Sequence, residues 1–307
     1  MGKAERIRQM NARQRIAAQQ AAARRSEARR RLYLASGSVL GVIAIVIGLI
    51  IWKNASSNSA SASNNTRATA AETSLVTRQI TTVPTATLNA VGQGSGNVTK
   101  LTATSGQPLL KTSSGKPQFL YMGALYCPYC AAERWAMVVA LSRFGTFSNL
   151  GLTHSSGSDV YPNTPTLSFY KSSYTSNYLD FTPVELYSGK ALRPNVYATL
   201  EKPTSAQIAL MSKYDAPPYT QAANAGSFPF VDIGNQYLAI GSQYVPSSLA
   251  NLTWTQVAAD IRNPNNAVAK AVDATANSLT AAICKITNNA PAAVCNSASA
   301  QAGAGSL

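Results

Sequence analysis

Histidine is nearly absent from this chain: His154 is the only one among 307 residues. Cysteine is scarce too, with four in all, and charged side chains make up only 12% of the sequence. A zinc site needs four ligands, usually including a second closely spaced pair of cysteines or histidines. Only Cys127 and Cys130 are close together, since ten residues separate Cys284 from Cys295 and His154 has no partner histidine. No metal is therefore expected. The sequence also lacks internal repeats of solenoid period, which removes repeat architectures from consideration.

Acidic residues number 12 against 26 Lys and Arg, a net charge of +14 that would raise nucleic acid as a partner. The distribution of charge argues otherwise. Residues 1–31 hold ten Lys/Arg against Glu5 and Glu27, and the remaining excess is mild. No nucleic-acid reader motif accompanies the basic arm, so no nucleic-acid partner is expected. The segment C-terminal to the arm accounts for it. Residues 32–52, LYLASGSVLGVIAIVIGLIIW, carry no charge. As a helix they would be roughly 30 Å long, enough to cross a bilayer. Tyr33 and Trp52 lie near its ends, where aromatic rings favour the headgroup region. A cleaved signal peptide is the alternative, with Ala60-Ser61-Ala62 as the processing site, but the apolar run and the basic region are both too long for one. The expectation is a single-pass anchor in the cell membrane. The arm is then cytoplasmic, suited to anionic lipid, and everything after Lys53 is extracytoplasmic.

Composition divides the chain into a basic arm (1–31), the anchor (32–52), a Ser/Ala/Asn/Thr-rich linker (53–74), a folded domain (75–296) and a small-residue tail (297–307) expected to be disordered. Helix is expected around Pro84, and a buried strand over QFLYMGA (118–124). A helix follows Cys127, with Pro128 in its first position and Gly145 as C-cap. A strand over TPTLSFY, a helix over SAQIALMSKYD and a β-hairpin turning at Gly234-Asn235 come next. A helix capped at Thr253 and Gln256 precedes a last one with apolar residues from Val268 to Ile286. Strands and helices alternate first, which points to an α/β or α+β domain.

LYCPYCAAERW (125–135) places Cys-x-x-Cys between strand and helix. Cys127 then stands at a helix N-terminus, where free N–H groups and the helix dipole favour a thiolate. Cys130 lies one turn inside, shielded, and positioned to resolve a mixed disulfide. A purely structural disulfide and a metal site are the competing readings of the pair. Glu133 and Arg134 lie just beyond it; one of them could serve proton transfer to Cys130, but a surface ion pair or structural contact is the favoured expectation. His154 reads as an ordinary loop residue. Cys284 and Cys295 are expected to form a structural disulfide across an Asn/Ala/Pro loop, in keeping with an extracytoplasmic domain.

YMGALYCPYCAAERW resembles the active-site segment of the thioredoxin superfamily. The resemblance implies a thioredoxin-like α/β fold with a cis-proline loop opposite the cysteines, and Ser227-Phe228-Pro229-Phe230 before VDIG has that character. By the same likeness Phe228 offers its backbone to a substrate strand and Pro229 shields the dithiol from metal. The long separation of Cys127 from Pro229 is similar to that in DsbA-like oxidoreductases, although the insertion (146–200) is Ser/Tyr/Pro-rich rather than helical. The phrase GALYCPYCAAERWAMVVALSRFGTFSNLG also resembles a family of uncharacterised membrane-anchored prokaryotic proteins with a thioredoxin-like domain, over roughly 75–290.

The implied activity is thiol–disulfide exchange on exported proteins. Cys127 is the nucleophile, Cys130 the resolving thiol, and Phe228 and Pro229 contact the substrate. No cofactor is expected, and electrons would pass to or from a partner such as a membrane redox protein. Oxidase, reductase and isomerase directions stay open. The alternatives are a non-catalytic envelope binding module of the same fold, or a scaffold acting through its basic arm.

Overall fold

The computed structural model of the protein describes residues 67–94 and 98–307. The basic arm, the expected anchor at 32–52 and most of the linker lie outside the described residues. Among the described residues no helix is long and apolar enough to cross a membrane. Ordered structure begins earlier than composition suggests. Thr69, inside the expected linker, caps helix α1 (Ala70–Thr81) by accepting the Glu72 N–H, and α1 buries Val76 and Ile80. Pro84 then starts α2 (Thr85–Val91), so helix forms on both sides of the proline.

A mixed five-stranded sheet organises the rest of this α/β domain. Its strands are β1 (Thr102–Ala103), β2 (Gln118–Gly123), β7 (Asp180–Glu185), β10 (Phe230–Ile233) and β11 (Tyr237–Ile240), in the order β1-β11-β10-β2-β7. β2 runs parallel to β7 and antiparallel to β10. The turn joining β10 to β11 spans residues 234–236; Gly234 and Asn235 are both at positive φ, and the Gln236 N–H donates to the Ile233 carbonyl at 3.1 Å.

Alternation along the strands divides the core between two faces. Phe119, Tyr121, Val231 and Ile233 point to one face, where they meet α1, α3 (Pro128–Leu141), α5 (Trp254–Ile261) and α6 (Ala267–Ile286). Leu120, Met122 and Phe230 point to the other, against Leu210 and Met211 of α4 (Ser205–Tyr214). The capping box of α5 is formed as the Thr253/Gln256 spacing predicts.

The helix after Cys127 differs from expectation at its end and on its flanks. It stops at Leu141, and Gly145 instead opens β3 (Gly145–Ser148). A Cβ on Gly145 would overlap the Thr175 carbonyl oxygen and the Tyr174 ring, so glycine is required there by close strand approach, not as a helix cap. Nor is α3 one-sided: every residue from Cys130 to Leu141 is buried. The insertion explains this. It forms antiparallel strand pairs: β3 with β6 (Ser173–Ser176), enclosing the hairpin of β4 (Gly151–His154) with β5 (Pro165–Ser168), and the hairpin of β8 (Tyr187–Arg193) with β9 (Val196–Thr199). The first two wrap α3: Trp135 Nε1 donates to the Pro165 carbonyl at 2.9 Å, the Thr166 hydroxyl to Ala131 O at 2.8 Å, and the Tyr174 hydroxyl to Leu141 O at 2.9 Å. His154 ends β4 rather than lying in a loop, its ring 4.3 Å from that of Trp254.

The C-terminal tail also departs from expectation. Residues 297–307 are not a disordered end: they contain α8 (Ala298–Gly303), which follows α7 (Ala292–Cys295). Alanine, glycine and serine serve here as small packing residues. Gly303 sits so close to Asn277 O of α6 that a Cβ would overlap it, and Ser299 N–H donates to Asn89 Oδ1 at 2.9 Å. Cys284 and Cys295 are joined in a disulfide with Cα atoms 5.6 Å apart, fastening α7 to α6. Closing a loop of this length restricts the unfolded chain by about 3 kcal/mol. Substituting both by serine should lower the urea-unfolding free energy by about that amount; an unchanged midpoint and slope would show that the crosslink carries no stability.

Candidate functional site

The dithiol is positioned by a change of secondary structure. β2 ends at Gly123, a short turn through buried Leu125 and half-buried Tyr126 follows, and Cys127 becomes the N-cap residue of α3 with extended backbone. Pro128 occupies the first helical position, where its missing N–H leaves no bond unmade. The Cys127 sulfur takes the capping role usually filled by an oxygen, accepting the Cys130 N–H at 3.4 Å. Cys127 is 8% exposed and Cys130 is fully buried; both are free thiols.

The two thiols are electrostatically unlike. The hydrogen bond from the Cys130 thiol lowers the Cys127 pKa below its ordinary value, against the effect of burial and with help from the Cys130 N–H and the Arg134 charge. Burial pushes the Cys130 thiol well up, and its bond to Cys127 adds to the rise. The slightly exposed sulfur is thus the one favoured as thiolate, while the fully buried one keeps its proton.

Phe228 and Pro229 come to the same place from the far end of the chain. Their peptide bond is cis, and Phe228 O lies 3.7 Å from Cys127 Sγ, within reach of the thiol proton. The Phe228 ring packs partly buried against Ala124, Cys127 and Cys130. All four residues expected at the site from sequence therefore meet, whereas Cys284 and Cys295 serve the α6–α7 junction.

Other parts of the site were not legible from spacing. Glu133 and Arg134 are both completely buried, so neither forms a surface ion pair. Arg134 Nε and Nη2 make a two-pronged pair with Glu185 of β7, each at 2.9 Å, and Nη2 also donates to Ala124 O at 2.8 Å. Burial works against the Arg134 charge, but the Glu185 carboxylate outweighs it and keeps the guanidinium protonated. Glu133 faces away and accepts the Gln243 N–H at 2.9 Å; burial pushes its pKa up to about 7. Tyr121 of β2 is buried below the dithiol.

Tyrosines surround the outer face. Tyr126 stacks on Tyr197 of β9 at 4.1 Å between centroids, and Tyr129, between the cysteines, is 38% exposed and meets Tyr161 edge-on at 5.7 Å. The insertion thus supplies the aromatic border of the site. The sequence signal for the buried pair was weak: β7 carries acids at both ends, Asp180 and Glu185, and nothing local tells the buried one from the half-buried one. Among the described residues no group of three or more His, Cys, Asp or Glu side chains is placed to hold a metal ion.

Comparison with known proteins shows that the chain belongs to the family described as "Domain of unknown function (DUF929)", whose model matches residues 102–285. No curated protein and no solved structure matches it.

Proposed function

We propose that this is a thioredoxin-like thiol–disulfide oxidoreductase, held in the cell membrane by residues 32–52 and acting outside the cytoplasm on exported proteins. The thioredoxin-like reading is supported by the strand that leads into the dithiol, flanked by parallel β7 and antiparallel β10, and by the Phe228-Pro229 loop facing Cys127. The Cys284–Cys295 disulfide is what an oxidising compartment sustains.

The observation that carries the chemistry is the inequality of the two thiols. In the reducing direction the Cys127 thiolate attacks a substrate disulfide. A bond forms between Cys127 Sγ and one substrate sulfur while the substrate S–S bond breaks, and the departing thiolate takes a proton. Cys130 then loses its proton and attacks Cys127 Sγ, expelling the second substrate sulfur, which takes up that proton. Two electrons pass from the dithiol to the substrate, and the protein is left as its own disulfide. Run backwards, the same steps oxidise a substrate dithiol.

Cys130→Ala removes the resolving sulfur and leaves the first attack intact. In cells exporting the full-length variant, non-reducing gels should show disulfide-linked adducts that vanish on reduction and are absent from Cys127→Ser/Cys130→Ala. If no adducts form although the variant is exported and folded, the catalytic reading fails and a non-catalytic binding module of the same fold takes its place.

A further inference from the structure

Cys130 poses a problem that the dithiol alone does not solve. Its sulfur has no contact with solvent, yet it must carry charge when it attacks or leaves. The ionisable groups that face it are Cys127 and Arg134 from α3, Tyr121 from β2 and Tyr126 from the turn, with Glu185 of β7 behind Arg134. Glu185 is committed to Arg134. Tyr121 differs: it is fully buried and its hydroxyl makes no hydrogen bond to any described residue. A buried donor left unpaired costs about 1–3 kcal/mol and calls for an explanation.

The local geometry supplies one. A Cβ on Gly123 would overlap the Tyr121 hydroxyl and lie 3.0 Å from Cys130 Sγ, so the two atoms border one small space that glycine keeps open. The Tyr121 ring is fixed from two sides. The Arg134 guanidinium lies 5.7 Å from its centroid, and Phe169 packs edge-on at 5.3 Å. Arg134 Nη1 is likewise without a partner among the described residues, so its positive end is not fully spent on Glu185.

We propose that the Tyr121 hydroxyl is the donor that receives the Cys130 thiolate, held in place by Arg134 and Gly123, and that it makes resolution of the mixed disulfide fast. The inference rests on the thiol–disulfide reading above. Tyr121 keeps its proton throughout. The Cys130 proton goes to the expelled substrate thiolate, the Cys130 electron pair forms the new bond to Cys127 Sγ, and the substrate–Cys127 bond breaks. Tyr121 acts as hydrogen-bond donor and not as base, because burial pushes its pKa well above that of an ordinary phenol.

Tyr121→Phe removes one oxygen and keeps the ring contacts. The test uses the full-length reduced protein and an aryl disulfide probe whose released thiol is coloured. Wild type should release two thiols in two phases, first from attack by Cys127 and then from resolution by Cys130. In Y121F the first phase should be unchanged within about two-fold, and the second slowed about ten-fold or more. The pH at which the second phase reaches half its maximum should move upward. A merely structural tyrosine would shift thermal stability without separating the phases. If Y121F resolves at the wild-type rate with the wild-type pH profile, the inference is overturned while the oxidoreductase reading stands. If wild type releases no thiol in either phase, both fall.

Discussion

Replacing Glu185 by alanine is expected to destabilise the domain more than any other single change at the site, by about 3–5 kcal/mol. Among the described residues the carboxylate is the only charged partner of Arg134, and both side chains are fully buried. Its loss leaves a guanidinium without compensation in a low-dielectric interior. It also strands the Phe169 N–H, which donates to Glu185 Oε1 at 3.2 Å. For a domain of this size the thermal midpoint should fall by about 10 °C or more. The double substitution Arg134→Met/Glu185→Leu removes both charges, and buried pairs replaced by apolar residues of similar volume are often neutral in stability. It still strands the Phe169 N–H, so it should be less stable than wild type by about 1–3 kcal/mol, well short of the loss in the single variant. Its mixed disulfides should nonetheless resolve slowly, since Tyr121 loses the guanidinium that holds it. A fall of under about 1 kcal/mol for Glu185→Ala would mean that the pair is solvated and not a buried anchor.

The pair also shows where sequence reasoning stops. The strand into the dithiol, the proline start of α3, the Gly234-Asn235 turn and the α5 capping box were legible because each is decided within a few neighbouring residues. Arg134 was not, because its partner is 51 residues away in sequence, across the insertion. Read as a lone helix, α3 presents Glu133 and Arg134 as a surface patch. Instead β7 receives Arg134 and the Gln243 N–H donates to Glu133, while the β3–β6 and β4–β5 pairs cover α3 at Leu141 and Ala131, where their hydroxyls read only as a polar insertion. The tail at 297–307 misled for the opposite reason. Its small side chains lack hydrophobic signal, yet they allow α8 to approach α6 as far as backbone contact permits. The class of fold and the strand-to-helix placement of Cys127 and Cys130 could be argued from local rules, whereas Phe228 and Pro229 were placed only by the family resemblance. The charges that support Cys130 required the tertiary structure.

The second large effect lies in the core behind the site. Asp273 of α6 is fully buried, and neither carboxyl oxygen has a hydrogen-bond partner among the described residues. Burial raises its pKa from 3.8 to about 8. Glu133, pushed up to about 7, contributes in the same direction from α3. Tyr244, whose hydroxyl donates to Ala132 O at 2.5 Å, feels both acids; burial and their charges raise its own pKa. In the unfolded chain these acids ionise near pH 4, so between about pH 4 and pH 8 the native state binds more protons than the unfolded state. Stability must then fall as pH rises through that window, and the penalty is complete above the folded pKa. For Asp273 the shift corresponds to on the order of 5 kcal/mol. Asparagine stays neutral but inherits the missing partners, at a cost of about 1–3 kcal/mol. Asp273→Asn should accordingly stabilise the protein by about 2–4 kcal/mol near pH 9, and leave it equal to or slightly below wild type near pH 5. Urea unfolding at both values checks this. Parallel losses of stability with pH in the variant and wild type would show that Asp273 is already ionised in the folded protein, compensated by groups other than those facing it here.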